Sequence, residues 1–323
     1  MASFGKIGVF LGGRSRERVI SLRSGKAVYQ ALKNAGLDVV MIDTANGFRS
    51  RSNRRTIDLA FLALHGAGGE DGTVQKILNR ARIPYVGSDP RASALAFDKA
   101  RAKNLFRRAQ IPTPPYEVVT RKNWRQKIQK WKAPFVVKPV CEGSSIGVFF
   151  VEKEKNAGTA KKILSSLKQY PRLLIEKKIE GREFTVGILG DSALPVIELR
   201  PKRKFYDYRA KYTKGLTEYL VPAPISEALA QRLQSIAVRA HQLLGLRDLS
   251  RVDFKVDASE RPFVLEVNSI PGFTETSLLP KAAREMGFDF TRLCLHLLEM
   301  VHKRQTALQD ENNGKAPNTA MES

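Results

Sequence analysis

Residues 251–278, RVDFKVDASERPFVLEVNSIPGFTETSL, carry the side chains best suited to chemistry. VDFKV and PFVLEVN alternate apolar and polar residues around a turn-forming DASERP, which predicts two antiparallel strands joined by a hairpin. A symmetric hairpin sets Asp253 opposite Glu266 and Phe254 opposite Leu265. Val252, Phe254, Val256, Phe263, Leu265 and Val267 then form a buried face, and the polar face ends in Asp253, Glu266 and Asn268. Two carboxylates and an amide, with no thiolate or imidazole among them, suit a hard divalent cation such as Mg²⁺. That ion takes its remaining oxygens from elsewhere, typically from the phosphates of a nucleotide. The alternative is a hairpin with one face in solvent. Facing carboxylates repel unless a cation lies between them, which favours the metal.

Other stretches add phosphate-binding chemistry. Directly after the hairpin, SIPGFTETSL offers a Pro-Gly turn that can present backbone N–H groups, with hydroxyls at Thr274, Thr276 and Ser277. Upstream, APFVVKPVCEGSSIGVFFV reads as strand, Gly/Ser loop, strand, with Lys138 closing the first strand. No GK[ST] opens a helix there, so this is not a Walker loop. Backbone N–H groups and hydroxyls in such a loop can still cover phosphates, although an ordinary hairpin turn would look the same. HGAGGEDG (residues 65–72) joins four glycines, an imidazole and two acids, an unusual set for packing alone. Glu176 and Glu183 flank a turn at Glu180-Gly181, where carboxylates could accept from ribose hydroxyls or stand exposed. FYDYRAKY (residues 205–212) has no clear period and reads as a loop.

The elements that position these groups follow from the hydrophobic pattern. KIGVFLGG is a short strand running into glycines, followed by a helix with Leu22, Val28, Ala31 and Leu32 on one face and a stop at Gly36. LDVVMI and IDLAFLALHG supply two more strands, giving an open α/β half-domain whose ligands gather where strands meet loops. Gly87-Ser88-Asp89-Pro90 starts a helix read as continuous through SALAFDKARAKNLFRRAQ, and IPTPP then marks a linker. An amphipathic helix over residues 226–244 leads into the hairpin, and a last helix spans residues 290–302. Residues 305–323 contain only two bulky apolar side chains, Leu308 and Met321, which predicts disorder.

At 323 residues the chain exceeds one ordinary core and predicts two or three domains. Cys141 and Cys294 are too few for a disulfide framework, which fits a reducing compartment. No apolar run is long enough for a membrane span, and the N-terminus lacks a secretory pattern. A soluble, cytoplasmic protein is the expectation. The 55 basic against 32 acidic residues give a net charge of +23, with basic density in residues 101–108, 121–132 and 200–214. A nucleic-acid footprint would explain this, yet no zinc-finger spacing, RNP-type aromatic signature or helix-turn-helix is found. A site for anionic nucleotides is the cheaper explanation.

Taken in order, GGRSRERVISLRSG, LALHGAGGEDG, ALAFDK, VVKPVCEGSSIGV, LIEKKIEGREFTV, FYDYRAKY, SRVDFKV and LEVNSIPGFTETSL resemble the D-alanine–D-alanine ligase family. The resemblance runs from Lys6 to about Val301. It implies an α/β ATP-grasp fold, with an N-terminal open α/β domain (residues 1–92), a central lobe (93–178) and a C-terminal lobe with an antiparallel sheet (179–304). It also implies ATP and Mg²⁺ (or Mn²⁺) as cofactors, D-alanine as substrate and a homodimer. One D-alanine carboxylate would attack ATP to give an acyl phosphate, and a second D-alanine would displace phosphate. Carried over residue by residue, Glu17 meets the first ammonium and His65 sits beside its carboxylate. Lys99, Lys138, Ser145 and Lys211 reach the phosphates, and Glu176, Lys177, Ile179 and Glu183 surround adenine and ribose. Ser144 and Tyr212 join Glu17 in closing the loops, and Arg251 with the Gly272 N–H forms an oxyanion hole. Ser277 and Leu278 grip the second carboxylate, and Asp253, Glu266 and Asn268 hold the metal, with Asn268 also on the nucleotide side.

Two positions depart from the family pattern: Val19 replaces an acid, and Cys141 stands where arginine is common, which would soften loop closure. A D-alanine–D-lactate ligase would share most motifs and differ in the loop carrying Tyr212, and the intact YDYRAKY favours the dipeptide. Nucleic-acid binding rests on net charge alone. DNA and RNA of any sequence are therefore expected to bind weakly and to dissociate steeply with salt through counterion release. A filter-binding titration at two salt concentrations checks this, and a sequence-specific complex surviving physiological salt would contradict it.

Overall fold

The computed structural model describes residues 4–47, 57–153, 157–202 and 215–312. Tyr212 and Lys211 lie outside them, as does the rest of FYDYRAKY. Strand β1 (Ile7–Leu11) is buried at every position, as expected for the middle of a parallel sheet covered on both faces. β2 (Val39–Asp43) pairs with one edge of β1 and β3 (Leu59–Leu62) with the other; β4 (Tyr85–Val86) lies beyond β3. Helix α1 (Arg18–Asn34) buries Ile20, Val28, Ala31 and Leu32, and the chain turns away at Gly36, whose φ is +80°. α2 (Thr73–Ala81) packs Val74 and Leu78 onto the same sheet.

The helix expected to run unbroken past residue 90 is two helices, α3 (Pro90–Phe97) and α4 (Lys99–Arg108). Asp98 separates them in an extended conformation, and its carboxylate accepts from the Arg101 N–H to cap α4. A cap satisfies N–H groups that a continuing helix would bond internally, so the aspartate here starts a helix rather than riding on one. Lys99 thus becomes the first residue of α4, set against the site.

A second, antiparallel sheet runs in the order β5 (Tyr116–Val119), β8 (Leu173–Lys177), β6 (Phe135–Pro139), β7 (Phe149–Val151). Helices α5 (Trp124–Gln129) and α6 (Ala157–Gln169) bury Trp124, Ile128, Ile163 and Leu167 against its Val119, Phe135 and Ile175. The next strand, β9 (Arg182–Leu189), does not pair with β8. It is the middle of a third sheet, flanked by β11 (Ile197–Pro201) and β13 (Leu249–Val256), with short β10 (Ser192–Ala193) also on it. β12 (Thr217–Leu220) and β14 (Pro262–Asn268) form the edges. The turn at Glu180-Gly181 is therefore the crossing between two sheets. Gly181 has a φ of +142° and lies so close to the Val256 carbonyl oxygen that a Cβ would overlap it.

Asp253 does pair with Glu266, but Phe254 pairs with Val264 because the register shifts between Asp253 and Phe254. Leu265 is the extra residue of a β-bulge. The bulge turns Leu265 to the open side of the sheet, so the buried face of β14 is Val264 and Val267, and Phe263 and Leu265 leave the core. Ser226 caps α7 (Glu227–Leu243), which covers the closed side with Leu229, Leu233, Ala237 and Ala240. α8 (Leu278–Glu285) and α9 (Phe290–Asn312) join the third sheet to the first, packing Leu279, Leu293 and Leu297 with Val28 and Leu32.

α9 reaches Asn312, so residues 305–312 are helical where disorder was expected. Arg304 ties the helix down just past its expected end. It pairs at 2.5 Å with Asp248, whose side chain is 2% exposed, and donates to the Tyr85 carbonyl at 3.2 Å. Asp248 also accepts from the Gly87 N–H at 2.7 Å, so three segments meet on one carboxylate. Arg304→Ala leaves that buried charge without its cation and is expected to cost about 3 kcal/mol. Urea unfolding of the two proteins measures the difference.

Candidate active site

Two cavities meet between the sheets. The first, of 480 Å³, lies between the second and third sheets and is lined by Val136, Lys138 and Phe150 on one side and Glu183, Asp253, Leu265 and Glu266 on the other. The second, of 460 Å³, opens against the first sheet and is lined by Glu17, His65, Arg251, Gly272, Ser277 and Leu278. Gly143 and Glu266 line both. Volumes of this size suit small-molecule ligands. Of the nucleotide residues named from sequence, Lys99, Lys138, Ser145, Glu176, Lys177, Ile179 and Glu183 line the first cavity and Asn268 lines the second, where Ser144 of the loop-closing set also lies.

The hairpin pair is held by cations. Arg251 donates to both oxygens of Asp253 at 2.8 Å, and Thr185 Oγ1 and Asn268 Nδ2 donate to the same carboxylate at 2.7 and 3.1 Å. Lys99 lies 3.2 Å from Glu266 and donates its other contact to the Glu142 carbonyl at 2.5 Å. Burial alone would lower the Lys99 ammonium, but Glu266 outweighs it and the shift is upward. Among the described residues no three His, Cys, Asp or Glu side chains gather as a metal site. A cation here would therefore take two carboxylates, the Asn268 amide and oxygens from a ligand.

Glu176 is a structural charge rather than an open acceptor. It is 3% exposed, and its oxygens lie 2.9 Å from Lys138 and 2.7 Å from Lys103. Burial pushes its carboxyl up, and the two lysines more than reverse that. Burial brings Lys103 down to about 8 against the pull of Glu176. Lys103 also donates to Thr113 Oγ1, tying α4 to β14 through the Val264 carbonyl. Sequence reasoning passed over it because one lysine in a basic helix carries no signal of burial. Glu70 was also missed, although it sits in HGAGGEDG. It accepts from the Gly66 N–H at 2.7 Å in the second cavity, and burial, reinforced by Glu17, pushes its carboxyl well above the usual range.

The loop over residues 140–148 closes the junction. Ser144 and Ser145 hold left-handed φ values of +50° and +59°, and the Ser144 hydroxyl donates to Glu17. Gly143 comes so near Glu17 that a Cβ would sit 2.5 Å from its carboxylate oxygen, so the approach requires glycine. Cys141 is exposed, and Arg172, which pairs with Asp98 at 2.7 Å, reaches within 3.9 Å of its sulfur. An arginine from a different segment thus stands at this point of the loop. At the far end of the second cavity, the Ser277 hydroxyl bonds to the Thr274 N–H and Oγ1 at 3.0 and 2.8 Å, leaving the start of α8 facing the cavity.

This arrangement, two antiparallel sheets closing on one cleft beside an open α/β domain, is that of an ATP-grasp enzyme. Residues 105–299 match the family description D-ala D-ala ligase C-terminus, and residues 43–88 match D-ala D-ala ligase N-terminus. The D-alanine–D-alanine ligase of Pelotomaculum thermopropionicum is 43% identical over 307 residues, covering 91% of this chain and 96% of that protein. The Aquifex aeolicus ligase is 44% identical over 288 residues, covering 89% and 98%. The crystal structure of the Bacillus anthracis ligase complexed with ATP aligns with a TM-score of 0.81 at 29% identity, covering 94% of this chain and 99% of that one. VanG D-Ala:D-Ser ligase from Enterococcus faecalis aligns at 0.79 and 29% identity, covering 92% and 99%. The chain belongs to the D-alanine–D-alanine ligase family.

His65 gives the site a pH signature. It lies 3.1 Å from both the Ile270 carbonyl and Ser24 Oγ; since a carbonyl only accepts, Nδ1 carries the proton and Nε2 accepts. Burial lowers its pKa to about 4, against a small lift from Ile270, so the ring is neutral near pH 7. Between the unfolded value near 6.5 and the folded value, the unfolded chain holds the extra proton. Stability is therefore expected to fall as pH drops through that window, by about 3 kcal/mol at most. In His65→Gln this acid-side slope should flatten. Urea midpoints from pH 7 to pH 4 compare the two.

Proposed function

We propose that the protein joins two D-alanines into D-alanyl-D-alanine, driven by ATP through a D-alanyl phosphate, as a step in cell-wall precursor synthesis. The meeting of the two cavities at Gly143 and Glu266 carries this reading. A nucleotide in the first cavity ends its phosphates where the second begins, and a carboxylate bound in the second can attack there. Glu17 receives the first D-alanine's ammonium, and neutral His65 stands beside its carboxylate. Lys99 and Lys138, with Lys211, offset the charge on the phosphates. Ser145 covers them from the loop, Lys177 and Ile179 flank the base, and Glu183 meets the ribose. Glu176 serves this set by anchoring Lys138 and Lys103.

Asp253, Glu266 and Asn268 fit magnesium, or manganese in its place, because their hard oxygens converge from paired strands and their negative charge already demands a cation. When bound, that ion neutralises phosphate charge. With Asp253 and Glu266 engaged in holding it, Lys99 and Arg251 would no longer be needed to balance those carboxylates. Lys99 can then turn to the phosphates and Arg251, with the Gly272 N–H, to the negative oxygen of the tetrahedral intermediate. The second D-alanine places its carboxylate at Ser277 and Leu278, where the start of α8 favours an anion. Its amine must be neutral to attack, although free D-alanine is mostly ammonium near neutral pH. Closure by Glu17 and Ser144, together with Tyr212, encloses it while the proton leaves and keeps water from the acyl phosphate.

A homodimer belongs to the same proposal, carried by the family resemblance. Among the described residues no helix is long and apolar enough to cross a membrane. A cytoplasmic location accords with ATP as substrate and with two unpaired cysteines. Glu266→Gln is expected to cut dipeptide formation by at least about 100-fold while the far-UV spectrum stays native. Coupled ADP release across a magnesium titration checks it. Full activity with unchanged magnesium dependence would remove the hairpin from the site.

A further inference from the structure

Arg16 and Glu17 are neighbours in the chain, yet one is exposed and the other buried. Glu17 holds the 140–148 loop from within, through Ser144. Arg16 reaches the central lobe on the solvent side. Its Nη1 donates to Tyr170 Oη at 2.7 Å, and its guanidinium carbon is 5.6 Å from the centre of that ring. Nη2 lies 3.5 Å from Gln169 Oε1, and Nε lies 3.9 Å from the Glu142 carboxylate, on the loop itself. Tyr170 also supports the loop, because a Cβ on Gly147 would sit 3.2 Å from its ring. The loop is thus gripped on two sides by adjacent residues of one segment, although only Glu17 faces the substrate cavity.

We propose that Arg16 is a positioning residue whose clasp on Tyr170 and Glu142 keeps the 140–148 loop shut while the acyl phosphate exists. This rests on the reaction proposed above. With the loop open, a water oxygen bonds to the acyl carbon as the bond from that carbon to the phosphate oxygen breaks. Phosphate leaves, the D-alanine carboxylate is restored, and a proton is released. ATP is then consumed without a peptide bond. Each exposed contact is individually weak, so the effect is on the balance of open and closed loop, a shift of a few-fold rather than a loss of activity.

The test measures phosphate and dipeptide in the same reaction for the wild type, Arg16→Ala, Arg16→Lys, Tyr170→Phe and the Arg16→Ala/Tyr170→Phe double variant. The wild type is expected to release one phosphate per dipeptide. Arg16→Ala should raise that ratio about threefold, with an unchanged thermal midpoint because the side chain is exposed. Arg16→Lys, which keeps a cation near Glu142, should restore part of the coupling. Tyr170→Phe removes the acceptor but keeps the ring and leaves the Glu142 contact, and should raise the ratio by less than Arg16→Ala. The double variant should equal Arg16→Ala, because the Tyr170 hydroxyl acts through Arg16. Coupled single variants, or a double variant equal to the product of the singles, would overturn the clasp. A wild type that makes no dipeptide would overturn the reaction and the clasp with it.

Discussion

Asp253 and Glu266 stand in register on neighbouring strands, two like charges that cannot face each other without positive charge nearby. Much of the site is arranged to supply it. Arg251 lies along the same strand as Asp253 and closes on it with two hydrogen bonds. Lys99 comes from the first turn of α4, which begins there because Asp98 caps it. The same ammonium holds the Glu142 carbonyl, so the balance of charge in the hairpin also positions the loop. Behind them, Lys103, Lys138 and Glu176 form a buried, charge-paired set. A nucleotide in the first cavity therefore meets positive charge that is already held in place by the hairpin.

Closure has its own logic. The loop over residues 140–148 carries two serines in left-handed conformations and glycines where Glu17 and Tyr170 press close. Backbone held this way persists only where neighbouring groups define it. Glu17 comes from the segment before α1 and Tyr170 from the end of α6, so the loop is defined both from the first sheet's side and from its own. The tie continues below the cavity. Ser24 on α1 meets His65, and His65 meets the Ile270 carbonyl beyond β14.

Hydrophobic alternation made the hairpin and its facing carboxylates legible from sequence, because a period of two assigns each residue to a face. The alternation failed at Leu265, where one extra residue reversed the faces beyond it. A bulge leaves no mark in composition, since the residue that enters the cleft is as apolar as one that enters the core. The helix break at Asp98 was readable in principle, an aspartate three residues before the N–H it caps, but a strong run of helix formers concealed it. The separation of β8 from β9 was not readable, because two strands and a glycine turn describe a hairpin as well as a crossing between sheets. Glu70, Lys103 and the Arg304–Asp248 pair depend on partners far away in the chain. Local pattern carries no information about them. Tyr212 and Lys211, by contrast, stood out by motif and lie outside the described residues.

In the proposed reaction a carboxylate oxygen of bound D-alanine attacks the terminal phosphate where the two cavities meet. D-alanine labelled with ¹⁸O in its carboxylate, incubated with ATP, Mg²⁺ and the protein, tests this most directly by mass analysis of the phosphate released. Transfer of one labelled oxygen into phosphate for each dipeptide formed is the expected result. Unlabelled phosphate would mean that water, and not the bound D-alanine, attacks ATP, and would contradict the account.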